Sequence, residues 1–231
     1  MLSLENPVAI ISTFIVMALL PFAVLGLTSF VKLSVVFGLL RNAIGAQQVP
    51  SAAITTLLSI ALTVHIMLPV ITEISASVEP VLISQKDKGE KATLAVLFES
   101  LDLARKPVSN FLSKHSRADV VDYFANASAE SPVAKAETCP SLNDTSDECD
   151  EKSILSLVPA FVISELQEAF TIGVFIFLPF LVLDLVVANI LVGMGMMMVS
   201  PVTISMPLKI MLFVLCDGWF LLSQSLIAAY R

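Results

Sequence analysis

Two aspartates stand alone in apolar sequence: Asp184 in FLPFLVLDLVVANIL and Asp217 in MLFVLCDGW. Two carboxylates sharing one site could run an intramembrane aspartyl hydrolysis. The glycine-flanked context that such a dyad needs is absent, because Gly218 follows Asp217 with nothing matching it around Asp184. The two histidines, His65 in apolar sequence and His115 in polar sequence, show no metal-ligand spacing. Neither a phosphate-binding loop nor a nucleophile elbow occurs. The chain is therefore expected to be no enzyme and to carry no metal or cofactor.

Charges in apolar helices still carry information, since each costs several kcal/mol unless it is paired or faces water. In the C-terminal apolar part, Glu165, Glu168, Asp184 and Asp217 stand against one internal cation, Lys209. The excess of acid implies that some of these carboxylates face water or pair with another chain. Glu165 is the favoured partner of Lys209, within or between subunits, and Asp184 is the competing one. Asp184 and Asp217 are candidate buried polar partners, and a Lys209 that merely reaches an interface is the bland alternative. The run Met194, Met196, Met197, Met198 is the other unusual feature. Unbranched thioether side chains fill irregular and changing gaps. Around a symmetry axis they would make a deformable ring; elsewhere they would be plain packing.

The elements that must position these residues are long and apolar. Of 231 residues, 56% are hydrophobic and 14% charged, with a mean hydropathy of +0.88. Soluble domains carry about 25% charged residues, so the chain is expected to sit in lipid or in an apolar assembly. Residues 8–31 and 42–72 hold no charge, and each run exceeds the ~20 residues that cross a bilayer. The first run is too long for a signal peptide and lacks a basic flank, Glu5 being the one early charge, so it is expected to be retained. A second apolar half runs from Ile154, with a bend expected at GMGMMMVSPVT. The chain thus divides into an N-terminal apolar hairpin (1–72), a polar insert (73–152) and a C-terminal apolar hairpin with a methionine-rich tip (153–231). The fold class is all-α: membrane-associated long helical hairpins with a small helical extracytoplasmic insert.

The insert holds 24 of the 33 charges, 9 basic and 15 acidic. Leu94, Leu97, Leu101 and Ala104 follow helical spacing until Pro107, which is expected to interrupt the helix. Phe111, Val120, Val121 and Phe124 are the apolar anchors of one or two further short helices, and the Ser, Glu, Asp and Pro tract of 128–152 is expected to be mobile. Cys139 and Cys149 form a disulfide only if this segment meets an oxidising compartment; two free thiols are the alternative. Lys32, Arg41 and Lys209, read as loop charges, place those loops in the cytoplasm and the insert outside. There is no basic patch for nucleic acid or for anionic lipid.

Three blocks carry a resemblance: TSFVKLSVVFGLLRNAIG (28–45), PAFVISELQEAF (159–170) and FLPFLVLDLVVANILVGMGMMMVSPVTISMPLKIMLFVLCDGW (177–219). Together they resemble the R subunit of the type III secretion export apparatus (SctR), whose flagellar counterpart is FliP. Flagellar members carry a cleaved signal peptide, so the start at an apolar helix resembles the virulence, or injectisome, branch. The resemblance implies a pentamer that joins S and T subunits and other inner-membrane export components into an export gate, with a channel for unfolded proteins. It implies a place in the bacterial inner membrane with a periplasmic portion, and gating without chemistry. Met196, Met197 and Met198 correspond to the family's methionine gasket, and Glu165 and Lys209 to its intersubunit salt bridge. The implied assembly also means that some apolar helices bury against protein rather than lipid. The competing reading is a small multi-helix permease or channel subunit for ions or small solutes. Pro21, Pro69 and Pro179 could break its helices, but few polar residues converge on them.

Overall fold

The computed structural model describes residues 14, 17–18, 21, 25–45, 50–85, 93–129, 154–196 and 198–230. Every regular element among them is an α-helix, as the all-α class requires: α1 (Phe30–Ile44), α2 (Ala52–Gln85), α3 (Thr93–His115), α4 (Ala118–Ala129), α5 (Ile154–Gly193), α6 (Pro201–Leu215) and α7 (Gly218–Ala228).

The short α1 is the centre of the fold. Its buried residues are Lys32, Leu33, Val36, Phe37, Leu40, Ala43 and Ile44, a spacing of three and four that makes one stripe. The stripe packs chiefly on α5 and also meets α2 and α6. Gly45 ends the helix at φ 76°, a left-handed conformation that costs glycine little. Gly173 of α5 lies against α1 so closely that an added Cβ would overlap Leu39 Cδ1 and come within 3.3 Å of Leu39 Cβ. Gly173→Val is therefore expected to cost about 1–3 kcal/mol by overpacking. A thermal unfolding midpoint in detergent no lower than that of the wild type would show that the contact is loose.

Prolines lie inside the long helices: Pro69 and Pro80 in α2, Pro159 and Pro179 in α5. Pro107, expected to interrupt the insert's helix, also lies inside α3, which runs on to His115. A proline in a helix interior costs about 3 kcal/mol, so packing on both sides must hold α3 together. Phe111 and Leu112, just beyond the proline, are in the common core. Val121 of α4 joins them, and Val120 and Phe124 pack against its edge. The polar insert thus contributes to the same core as α1, α5 and α7. Residues 130–153, with Cys139, Cys149 and most of the expected mobile tract, lie outside the described residues.

Two described helices are long and apolar enough to cross a membrane, Ala52–Pro80 and Ser156–Gly193. The bent pair α6 and α7, at 60° to each other, would make a third if taken as one span. The chain itself buries 28% of the most apolar stretch of the first and 17% of the second. Their remaining apolar surface needs a partner outside this chain. On α2, the buried hydroxyls of Ser59 and Thr63 donate to the carbonyls of Thr55 and Ser59, at 2.8 and 2.7 Å, which satisfies them without water.

Candidate functional site

Lys32 is not a loop charge. It projects from α1 into the core and is 1% exposed. Its Nζ stands 3.2 Å from Glu165 Oε1 and 2.6 Å from Glu168 Oε2, both on α5. The two glutamates are one turn apart, so one ammonium reaches both. Glu165 is fully buried, whereas Glu168 is half-exposed and keeps contact with the surroundings. Tyr230, just past α7, completes the cluster. Its hydroxyl donates to Glu165 Oε2, and its ring lies under the Lys32 ammonium, 4.2 Å from Nζ to the centroid. Burial and the neighbouring Glu165 carboxylate push the Tyr230 phenol well above its ordinary range, which keeps it a donor.

His115 closes this end of the fold. Its ring centroid lies 4.7 Å from that of Phe111 and 5.0 Å from that of Tyr230, tilted against both. Nearby, Ser164 on α5 accepts the Arg117 backbone N–H at 3.0 Å, which fixes the start of α4. The exposed Arg117 guanidinium donates to Asp119 and holds its carboxyl below the usual range.

A second cluster ties the other end together. Lys209 of α6 is buried and donates to Asp184 Oδ2 of α5 at 2.7 Å and to the Ala43 carbonyl of α1 at 3.2 Å. Ala43 belongs to the last turn of α1, where carbonyls lack helical partners and the dipole favours a cation. Ser205 donates to the second Asp184 oxygen at 2.6 Å. One lysine thereby joins α1, α5 and α6.

Within the chain, then, Lys209 takes Asp184, the competing partner, and Glu165 takes Lys32. A Glu165–Lys209 pair would have to form between subunits, each residue sharing or leaving its partner in the chain. Asp217, expected as a buried polar partner, is exposed in the single chain and occupies the bend between α6 and α7 at φ 49°. An added Cβ at the following Gly218 would overlap the Phe213 ring. Because Lys32 and Lys209 lie in helices and are buried, the loop-charge argument for orientation loses both. Lys32, Tyr230 and His115 were missed as site residues. The signal was available for Lys32: Glu165 and Glu168 need a cation, and the N-terminal half offers Lys32 and Arg41.

The methionines lie where α5 ends. The Met196 N–H donates to the Leu191 carbonyl at 2.9 Å and the Gly195 N–H to that of Val192 at 3.0 Å, with Gly195 at φ 74°. This paired closure is the Schellman motif. Pro201 at the first turn of α6 starts the return, its fixed φ suited to that position. Between the two, Met196 is 46% and Met198 100% exposed. Met197 lies outside the described residues. No group of three or more potential metal ligands occurs among the described residues.

The pattern of the FliP family matches residues 13–226. "Surface presentation of antigens protein SpaP" of Salmonella typhimurium is 36% identical over 225 residues, which cover 97% of each chain. "Yop proteins translocation protein R" of Yersinia pestis is 38% identical over 233 residues, 100% of this chain and 99% of the relative. "Virulence protein YscR" of Salmonella typhimurium is 37% identical over 226 residues, 98% of each. A match along nearly the whole chain, taking in both ion-pair clusters and the methionine tip, means that the protein belongs to the FliP family.

Proposed function

We propose that this chain is a core subunit of the export gate of a bacterial type III secretion system, in the virulence branch. Several copies, in a pentamer, join S and T subunits around a central channel for unfolded proteins. Its family makes it a structural part of an export apparatus and not an enzyme. The gate sits in the inner membrane, with the insert of residues 73–152 on the periplasmic side. Met196, Met197 and Met198 face the channel axis and close it at rest.

The observation that carries this reading is the tip itself. A capped helix end and a proline-initiated return hold Met196 and Met198 outside the body of the chain. A wholly exposed Met198 has no packing role in the single chain. The uncovered apolar faces of α2 and α5 supply surface for neighbouring subunits and lipid. Co-expressed with its S and T partners and purified in mild detergent, the chain is expected to run as one large particle of fixed stoichiometry. A monomer that associates with neither partner would sink the reading.

The intersubunit bridge has its own test. Glu165→Gln and Lys209→Met, which put no like charge beside Lys32 or Asp184, are each expected to weaken the assembled particle, and the double variant to weaken it by less than the sum of the two. Losses that simply add in the assembled particle reject the pair.

A further inference from the structure

Each histidine of the chain lines a cavity that Tyr230 also lines. His115 lines a cavity of about 200 Å³ with Glu73, Lys114 and Tyr230, and His65 lines one of about 220 Å³ with Ile227 and Tyr230. Of the two, His115 makes the direct ring contact. We propose that His115, packed against both the Phe111 and Tyr230 rings, which also stack on each other at 6.3 Å, is a proton-operated latch: protonation loosens the C-terminal end of the chain from α3 and exposes the Lys32 cluster.

The geometry disfavours an imidazolium at this place. The ring is half-buried, and burial is the first cause that holds its pKa below the ordinary value. Lys114 on its own helix and Lys32 on α1 act in the same direction, while Glu168 on α5 opposes them. Glu73 of α2 lines the same cavity, and Glu165 is reached through the Tyr230 hydroxyl. Arg117, at the start of α4, is engaged by Asp119 and Gln167. Of the two rings against His115, Tyr230 is already used by the Lys32 ammonium, which leaves the Phe111 ring at 4.7 Å as the one cation–π partner open to a charged imidazole. A second cation would compete for the Tyr230 ring. Tyr230 reaches this end of the fold from the turn that follows α7, a helix of 11 residues.

The sign follows from linkage. A histidine whose folded pKa is depressed contributes stability that is complete above its unfolded value of about 6.5. That contribution is lost as the pH falls below this value toward the folded pKa, because the released state binds the extra proton. One linked proton changes the opening equilibrium by at most about tenfold per pH unit.

The test is hydrogen exchange of the full chain in detergent, corrected for the intrinsic pH dependence of exchange. Protection of amides 222–229 and 111–116 is expected to fall by up to about tenfold per pH unit below about pH 6.5. His115→Gln should abolish the dependence, and His65→Gln should leave it. Acid loosening that survives His115→Gln, or that disappears with His65→Gln, overturns the latch. Should His115→Gln fold poorly, NMR titration of the wild-type histidine rings decides. A His115 ring that titrates at its ordinary value without moving the Tyr230 signals overturns it equally.

Discussion

Replacing Lys32 with methionine is expected to produce a large loss of stability. The side chain keeps its length and loses its charge, leaving Glu165 fully buried beside a half-exposed Glu168. Removing one member of a buried ion pair costs roughly 3–5 kcal/mol, because the remaining charge is neither solvated nor paired. For a chain of this size that corresponds to a fall of roughly 10 °C in the unfolding midpoint. The Tyr230 hydroxyl would keep its bond to Glu165, so the carboxylate would not be wholly abandoned. The remedy identifies the cause. Adding Glu165→Gln to Lys32→Met removes the orphaned charge and should recover most of the loss. If the double variant is no more stable than Lys32→Met alone, Lys32 acts through its packing and not through its charge. The measurement is a thermal or denaturant melt in detergent, with protease resistance as a second readout.

The helices were legible because apolar runs without charge have few other forms, and the α5–α6 turn because Gly195, Ser200 and Pro201 each have a local preference. Phe111 and Val121 were found as anchors on spacing alone. What the sequence hid was the sense of a lone charge in an apolar run. Hydropathy treats Lys32 as a break between two spans, whereas its helical neighbours Leu33, Val36 and Phe37 place it on the buried face of one helix. Such a lysine is tolerated only where carboxylates meet it, and those lie more than a hundred residues away. Pro107 misled for a related reason: local propensity argues for a break, and the burial of Phe111 and Leu112 overrides it. The partner of Lys209 turned on geometry that no spacing encodes, because Asp184 meets it across the α5–α6 turn.

Substituting Met196, Met197 and Met198 together by alanine is expected to leave the particle intact and make it leak. The turn that carries them is closed by backbone hydrogen bonds from Met196 and Gly195 and by Pro201, none of which depends on a thioether. Folding and assembly should therefore survive. Each alanine shortens a side chain to one methyl, and in the proposed ring of copies the losses would add around the axis, so the closed constriction would widen on every side. Ion leak through the gate should rise several-fold, seen as a depolarised membrane in cells that carry the S and T partners. Leucine at the same positions tests the physical reason. Leucine keeps most of the apolar volume but is branched and stiffer than methionine, so it should preserve closure at rest while impairing passage of a polypeptide. Alanine and leucine variants that both conduct and export like the wild type would mean that these methionines face lipid or a neighbouring subunit. A leak from the leucine variant as large as that from alanine would mean that closure depends on the thioether itself, and a filled volume would not explain it.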